Sequence, residues 1–418
     1  MVVPTKQEIM GFSPFNTGGK EELPLYRRKY FSEVKRSFDT SELIVAITGL
    51  RRTGKTTLMK QLFDKNVFYF SFDEKKYANS DALKRVIDVF LQEGEKPLIA
   101  LDEIFRVEDW AGVIKKYHDQ KLARFVISGS SSLLIKKGVE SLSGRMLEHY
   151  LPPLQFDEFL EMKGVSPEKS IGLADVFSTK KRYSEELGEF FKKGSFPEIV
   201  KMDEETAIKY IRTSTVEKIV FDDIPSAFGI ENPSKLYDLL KLCATSSGGL
   251  FTEVNFAEAV QMSRSAVSDY LLYLNKAFLV NVLYQSGSFQ KALKKQKKIF
   301  VKTASMYNAL AENPSIGQAA ETAVFDKLSS LNPSFYRDAQ KREVDFVTPI
   351  PIEVKFRSSV TTQDTDNLVY YLDKHKKNSG IMVTKDMFDE KQIGGKRISF
   401  IPLDVFLLCQ LDEKATSF

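Results

Sequence analysis

The sequence has 418 residues, of which 43% are hydrophobic and 28% are charged, and its formal net charge is +4. Such a length exceeds one ordinary domain, and the composition is that of a soluble globular protein. So small a net charge identifies no partner. No apolar run is long enough to span a bilayer. Residues 1–20 lack the apolar core of a signal peptide. Cys243 and Cys409 have no Cys or His neighbour at metal-ligand spacing. We therefore expect two buried thiols in a cytoplasmic protein without membrane contact.

The first 154 residues are predicted to contain an arm followed by an α/β unit. Residues 1–20 are expected to be a flexible arm, and a basic helical segment at 26–38 leads to an apolar strand. Strands and helices then alternate, as in α/β units. The predicted strands are 43–48, 67–72, 98–101 and 124–128, and the predicted helices begin near Thr56 or lie at 80–92 and 109–117.

Beyond Leu154 the pattern changes to amphipathic helices, which continue to about Gly229. The pair Asn232-Pro233 marks a boundary, after which residues 234–303 are predicted to be helical with a short β-like tail. After Pro314 the pattern predicts a helix at 318–328, strands at 335–337, 344–348 and 352–356, and a helix at 362–375.

The strongest motif is a phosphate-binding loop that directly follows the first strand. Gly49 to Thr56 fits G-x-x-x-x-G-K-[ST] and opens a helix, a context that argues against a chance match on a Gly/Lys-rich loop. Backbone N–H groups and the helix N-terminus would surround the phosphates of ATP. Lys55 would reach the β- and γ-phosphates, and Thr56 would ligate Mg²⁺. The predicted nucleotide contacts are Gly49, Leu50, Arg51, Arg52, Thr53, Gly54, Lys55, Thr56 and Thr57. Arg51 and Arg52 could contact phosphate or a partner.

Two further strand ends carry polar residues that suit this loop. The strand at 98–101 ends in Asp102-Glu103, which predicts a Mg²⁺ partner followed by a base that orients the attacking water. The alternative is a pair of solvated acids at a strand end. The strand at 124–128 is followed by Gly129-Ser130, so Ser128 and Ser130 could sense the γ-phosphate, although a tight strand exit has the same appearance.

These motifs together resemble the AAA-type ATPases of archaea and bacteria that have a double-Arg P-loop and a nuclease-like C-terminal domain. Ser143-Gly144-Arg145, the Pro152-to-Phe159 segment and Gly194-Ser195-Phe196-Pro197-Glu198 also resemble segments of that family. The resemblance implies that the Ser128 strand lies between the P-loop strand and the Asp102 strand. It also implies a helical lid over 155–230. Arg145 is its candidate for an arginine that completes the site, in its own chain or in a neighbouring subunit of a homo-oligomer; the alternative is a surface arginine.

Residues 256–271 have the pattern of a helix-turn-helix. A short helix at 256–260 and a turn at Gln261-Met262-Ser263 precede a second helix, and the segments 279–284 and 291–301 would form a β-wing. Clustered lysines on the wing suit phosphate contacts with DNA. The predicted nucleic-acid contacts are Arg264, Ser265, Lys294, Lys295, Lys297 and Lys298. The alternative is a packing pair of helices with a solvated loop, and the resemblance to the AAA-type family supports a winged-helix module without naming its ligand.

The C-terminal segment carries the spacing D-(x)n-E-x-K at Asp345, Glu353 and Lys355, which resembles the PD-(D/E)xK nucleases. In that fold two carboxylates hold Mg²⁺ or Mn²⁺ and the lysine supports the attacking hydroxide. Glu321, on the preceding helix, matches the fold's helical acid, so Glu321, Asp345 and Glu353 are predicted metal ligands. Val344 stands where the motif has proline. The alternatives are charged residues on a solvated hairpin, or a platform that binds without cleaving.

The sequence thus predicts an α/β protein with an AAA-type P-loop core at 21–154, a helical lid at 155–230, a winged-helix module at 231–304 and a restriction-endonuclease-like α/β domain at 305–418. The leading hypothesis is an ATPase that acts on DNA, with Glu103, Lys55, Arg145 and Lys355 as catalytic residues. The alternative is a nucleotide-dependent switch whose C-terminal domain binds DNA or protein without cleavage. A third hypothesis is a DNA-binding regulator.

Overall fold

The computed structural model describes residues 2–13, 22–63, 67–129, 139–168, 171–287 and 296–411, with only the backbone at residues 139, 140, 171 and 174. They form two compact units. The first comprises Met1–Pro153, Phe221–Glu231 and Lys276–Phe278, and the second comprises Leu154–Val220, Asn232–Asn275 and Leu279–Phe418. Among the described residues, no helix combines the length and apolar character that a membrane crossing requires.

The helices α1 to α16 are, in chain order, Lys6–Gly11, Phe31–Thr40, Lys55–Gln61, Ser80–Leu91, Trp110–Asp119, Phe156–Met162, Ser184–Lys193, Glu204–Tyr210, Ile224–Phe228, Pro233–Thr245, Glu253–Val260, Arg264–Lys276, Ala304–Leu310, Ile316–Leu328, Thr362–Lys374 and Leu403–Leu408. The strands β1 to β16 are Ile44–Thr48, Val67–Ser71, Leu98–Asp102, Arg124–Gly129, Met146–Tyr150, Ile171–Gly172, Leu250–Phe251, Val280–Leu283, Lys297–Val301, Ser334–Arg337, Glu343–Val347, Pro351–Lys355, Ser379–Thr384, Asp389–Ile393, Lys396–Pro402 and Cys409–Gln410.

The first unit is built on a parallel sheet of five strands in the order β2-β3-β4-β1-β5. Every residue of β1 is buried, as expected for a parallel strand that is covered on both faces. The strand β4, which carries Ser128, lies between β1 and β3. This part of the predicted sheet is confirmed, and it brings the ends of β1, β3 and β4 to one edge.

Part of the predicted N-terminal arm is ordered. Thr5 and Glu8 form a capping box at the start of α1, and Ile9 is fully buried. The Ser13 hydroxyl donates to the Tyr69 carbonyl at 2.9 Å and accepts from the Tyr69 N–H at 2.8 Å. The prediction of a flexible arm is therefore wrong for this segment, because a helix of six residues is too short to produce a recognisable amphipathic period.

Two sheets of the second unit, one of three strands and one of six, bear on function. Residues 233–301 contain α10, β7, α11, α12, β8 and β9, and the three strands form an antiparallel sheet in the order β7-β9-β8. Further along, six strands form a mixed sheet in the order β10-β11-β12-β13-β15-β14. The helix α15 packs its apolar face, including Leu368 and Leu372, on this sheet. Cys243 and Cys409 are both buried free thiols, as predicted.

Candidate nucleotide site

The loop after β1 requires glycine at its first position. Gly49 has φ +147° and Gly54 has φ +92°, both in the region that favours glycine. A Cβ atom at Gly49 would lie 2.3 Å from the Leu151 carbonyl oxygen. The loop therefore turns sharply while its backbone packs against the residue that follows β5.

The ammonium group of Lys55 is held by the loop carbonyl of Leu50, which also accepts a hydrogen bond from Thr53. The Lys55 ammonium donates to the Leu50 carbonyl at 3.0 Å, and the Thr53 hydroxyl donates to the same oxygen at 2.9 Å. Burial lowers the pKa of Lys55 below its ordinary value, and the nearby Glu103 and Asp102 oppose this shift. The ammonium thus lies inside the loop, where a phosphate oxygen can replace the carbonyl as its partner. Thr57 continues α3 and is partly buried.

Asp102 is the polar centre of this sheet edge. It is 4% exposed and accepts hydrogen bonds from the Thr56 hydroxyl at 2.8 Å, from the Tyr69 hydroxyl at 3.1 Å and from the Ser128 hydroxyl. A threonine hydroxyl beside a buried aspartate offers the oxygen donors that Mg²⁺ takes in P-loop proteins, so these residues fit the ion. Ser128 lies in the site through its contact with Asp102, whereas Ser130 lies outside the described residues.

Glu103 directly follows β3 in a left-handed conformation with φ +52°. Its Oε2 is buried, has no hydrogen-bond partner among the described residues, and lies 3.9 Å from the Arg106 Nε. Burial raises the pKa of Glu103, and the neighbouring Lys55 opposes this shift. A carboxylate oxygen in this position can accept a hydrogen bond from a water molecule at the end of the sheet.

Asp223 is a functional candidate that the sequence did not reveal. It is 3% exposed, and it pairs with Arg51 of the loop at 3.3 Å and with Arg106 at 3.0 Å. This places one side chain of the double-Arg loop in an ion pair within the first unit. It also explains why residues 221–230, which the sequence assigns to the lid, belong to that unit. Arg52 has φ +70°.

Arg28 is a second candidate that sequence reasoning missed, and it acts as a positioning residue. The residue is 5% exposed, and its guanidinium donates to the Thr53 carbonyl at 2.5 Å and to the Pro152 carbonyl at 2.8 Å. The loop is thereby tied to the segment that follows β5. No motif marks this arginine, because it precedes Thr53 by 25 residues and lies in an ordinary basic segment.

Arg145 lies at the edge of the sheet opposite the loop. Its carbonyl accepts from the N–H of Ile44, the first residue of β1, and its guanidinium pairs with Asp119 at 2.6 Å. Because the loop follows the other end of β1, about 13 Å of strand separate the two. This placement corrects the prediction that Arg145 completes the site of its own chain.

Candidate DNA contacts and the C-terminal carboxylates

The predicted DNA contacts differ in their exposure. Arg264 and Ser265 are exposed at the start of α12, where Arg264 pairs with Glu253 at 3.2 Å. Lys297 is half-buried and pairs with the same glutamate at 3.0 Å. Lys294 and Lys295 lie outside the described residues.

Lys298 is buried, with only 3% of its side chain exposed, and therefore cannot contact DNA in this conformation. The prediction is wrong at this position because successive side chains of a strand point to opposite faces, so two adjacent lysines do not share one surface.

The predicted nuclease residues lie close together on α14, β11 and β12. The Lys355 ammonium donates to Glu353 at 2.6 Å, and the Asp345 carboxylate accepts from the Val354 N–H at 3.0 Å. Glu353 accepts from the Asp345 N–H at 3.3 Å. A Cβ atom at Gly248 would lie 2.7 Å from Glu321 Oε2, so the backbone at Gly248 packs closely against the Glu321 carboxylate.

An ammonium group already lies among these acids. Lys298 lies 3.0 Å from Asp345, 3.2 Å from Glu321 and 2.8 Å from Glu343. Burial lowers the pKa of Lys298, but the three carboxylates outweigh this effect and raise it well above the usual value. Burial, with the nearby Asp345, raises the pKa of Glu321 to about 7 and that of Glu353 to about 8.

The arrangement of these side chains does not suit the Mg²⁺ or Mn²⁺ ion that the carboxylates are predicted to share. A divalent ion needs carboxylate oxygens at about 2.0–2.6 Å, but the Lys298 ammonium binds one oxygen of Asp345 (Oδ1) and one of Glu321 (Oε1) and brings its own positive charge between the two acids. Among the described residues, no group of three or more His, Cys, Asp or Glu side chains is arranged to hold an ion. The assignment of Glu321, Asp345 and Glu353 as joint metal ligands is corrected accordingly.

Three family models match this chain. Residues 41–160 match the model described as an AAA domain. Residues 184–316 match "Domain of unknown function (DUF8612)", and residues 316–406 match "Domain of unknown function (DUF4143)". The first match covers the parallel sheet, the loop and the Asp102 strand. Residues 41–160, most of which belong to the first unit, are therefore similar to an AAA domain.

Curated relatives align along most of the chain. An uncharacterized protein of Haemophilus influenzae is 26% identical over 409 residues, which are 90% of this chain and 97% of that protein. Uncharacterized proteins MJ1637 and MJ1544 of Methanocaldococcus jannaschii are each 27% identical, over 88% and 73% of this chain and 85% and 71% of their own lengths.

Solved structures with partial likeness include two proteins of bacteria. A point variant of RuvB from Thermotoga maritima has 14% identity and a TM-score of 0.31, over 68% of this chain and 94% of that chain. AMPPCP-bound DnaA from Aquifex aeolicus has 14% identity and a TM-score of 0.30, over 60% of this chain and 88% of that chain.

Proposed function

We propose that the core hydrolyses ATP with Mg²⁺. The observation that carries this proposal is the hydrogen bond between Thr56 and Asp102 beside Glu103, whose buried Oε2 has no hydrogen-bond partner in the part of the chain that the structure describes. Lys55 and the loop N–H groups would hold the β- and γ-phosphates, and Thr56 with Asp102 would hold the metal, which supplies charge neutralisation. Glu103 would orient the attacking water and take up its proton.

Replacement of Lys55 tests this assignment. Phosphate release in the presence of Mg²⁺ should fall by about 10²–10³-fold in Lys55→Ala, because a preorganised charge is lost at the transferring phosphoryl group. Lys84→Ala is the matched control, since Lys84 lies on the surface of α4 and pairs only with Asp81 at 3.4 Å among its described partners. Equal turnover in Lys55→Ala and Lys84→Ala would remove the site assignment.

DNA is the proposed partner of residues 231–304, which we propose form a winged-helix module. The order helix, strand, helix, helix and hairpin supports this proposal, as does the exposed start of α12 at Arg264 and Ser265. Binding to a labelled duplex that weakens with added salt is the expected behaviour of phosphate contacts. Binding that does not respond to salt would count against this partner.

For residues 305–418 we propose the restriction-endonuclease-like fold without cleavage. The order α14, β10, β11, β12, α15 and β13 and the proximity of Asp345, Glu353 and Lys355 support the fold. The Lys298 contacts favour a nucleotide-dependent switch in which ATP controls assembly or binding and the C-terminal domain is a platform. Arg145 remains a candidate to reach the site of a neighbouring copy, since its side chain is 36% exposed.

Cleavage can be tested on plasmid and oligonucleotide substrates with Mg²⁺ or Mn²⁺. We expect the wild type and Lys355→Ala to give identical, uncut products, because the carboxylates are bound to an ammonium group and cannot hold a divalent ion. Products that form with the wild type and are lost in Lys355→Ala would restore the nuclease hypothesis.

A further inference from the structure

The cluster around Lys298 joins two parts of the second unit. Lys298 lies on β9, Glu321 on α14, and Glu343 and Asp345 on β11. Its ammonium is within 3.2 Å of a carboxylate oxygen from each of the three acids. One side chain of the small antiparallel sheet therefore ends among the acids of the C-terminal sheet.

Charge explains why this lysine is buried. The four carboxylates of the cluster are Glu321, Glu343, Asp345 and Glu353. Lys355 pairs with Glu353 at 2.6 Å, and Arg337 pairs with Glu343 at 2.6 Å. Without Lys298, the partly buried acids Asp345 and Glu321 would lose all of their described side-chain ion pairs, which would destabilise the fold.

We infer that the Lys298 ammonium is a built-in substitute for the divalent cation of the C-terminal carboxylate cluster. It lies where the acids converge and binds Asp345 and Glu321, the oxygen donors that a metal would otherwise share. The wild-type cluster consequently holds no divalent ion, and β9 is anchored to α14 and β11. This inference does not depend on ATP hydrolysis by the core.

Lys302 provides a matched comparison on the same segment. It directly follows β9, its side chain is 5% exposed, and it pairs with the carboxylate of Asp326 at 2.9 Å. Of the ion pairs given for the described residues, removal of Lys302 would break the one with Asp326, whereas removal of Lys298 would break those with three acids that face one another. Only the second change should produce a site for a divalent ion, because such ions need several oxygen ligands.

The experiment measures binding of Mn²⁺ alone to the full chain without nucleotide, by electron paramagnetic resonance. We expect Lys298→Met to bind one more Mn²⁺ per chain than either the wild type or Lys302→Met. Adding Asp345→Asn to Lys298→Met should abolish that extra site. In EDTA, Lys298→Met should melt about 10 °C below the wild type, because a buried pair has been broken. Added Mn²⁺ should restore most of that difference in Lys298→Met and leave the wild type unchanged.

Two results would overturn the inference. In the first, Lys298→Met folds but binds no more Mn²⁺ than the wild type does. This result would show that the lysine does not replace a cation. In the other, the wild type binds a Mn²⁺ that is lost in Glu353→Gln, so that the cluster is already a metal site. This second comparison needs no Lys298 variant and therefore decides the matter even if Lys298→Met does not fold. Equal Mn²⁺ binding by the wild type and by Glu353→Gln supports the inference that the Lys298 ammonium takes the place of the ion.

Discussion

Glu103→Gln is expected to bind ATP as tightly as the wild type and to hydrolyse it about 10²–10⁴-fold more slowly. Glutamine has nearly the same shape but cannot accept the proton of an attacking water, and Glu103 makes no described contact with the loop backbone. The rate of phosphate release gives the first quantity, and equilibrium titration with a labelled, non-hydrolysable ATP analogue gives the second.

Glu108→Gln is the control for this change. Glu108 lies five residues further along the chain and its side chain is exposed, so the same substitution there should leave both quantities unchanged. Wild-type turnover in Glu103→Gln would show that another group activates the water. Loss of binding together with turnover would assign Glu103 to nucleotide binding instead.

Gly49→Ala is expected to abolish nucleotide binding and to lower the free energy of unfolding by about 1–3 kcal/mol. The added methyl group would lie 2.3 Å from the Leu151 carbonyl oxygen, and φ +147° disfavours any side chain at this position. The loop must then move away from β5, which displaces the backbone donors from the phosphates. Thermal unfolding and titration with an ATP analogue measure the two effects.

Gly11→Ala is the matched control within the same unit. A Cβ atom at Gly11 would meet no atom within 4 Å, and the residue is helical, so alanine should be tolerated there. Normal nucleotide affinity in Gly49→Ala would contradict the loop geometry on which the ATP site depends.

The features predicted from the sequence are those that a short local pattern determines. The loop from Gly49 to Thr56 and the pair Asp102-Glu103 are contiguous motifs at strand ends, and parallel strands bring such ends to one edge. The position of β4 between β1 and β3 followed from the resemblance to AAA-type ATPases. Periodicity also located the strands β1 to β4 and the helices α14 and α15 to within a few residues.

The features that escaped prediction depend on contacts between distant residues. Asp223 reaches Arg51 across 172 residues and Arg28 reaches Pro152 across 124, and neither carries a motif. Lys298 was assigned to DNA because it belongs to a run of lysines. Only the direction of its side chain, together with the acids at positions 321, 343 and 345, reveals its role as an internal cation.

The most direct test of the ATPase account is an experimental structure of the Glu103→Gln chain with ATP and Mg²⁺. The triphosphate should lie on the N–H groups of residues 49–56, with the metal about 2.0–2.1 Å from the Thr56 hydroxyl oxygen. Asp102 should lie beside the ion, and the side chain at position 103 should face the γ-phosphate. A nucleotide bound elsewhere, or a γ-phosphate out of reach of position 103, would contradict ATP hydrolysis at this site.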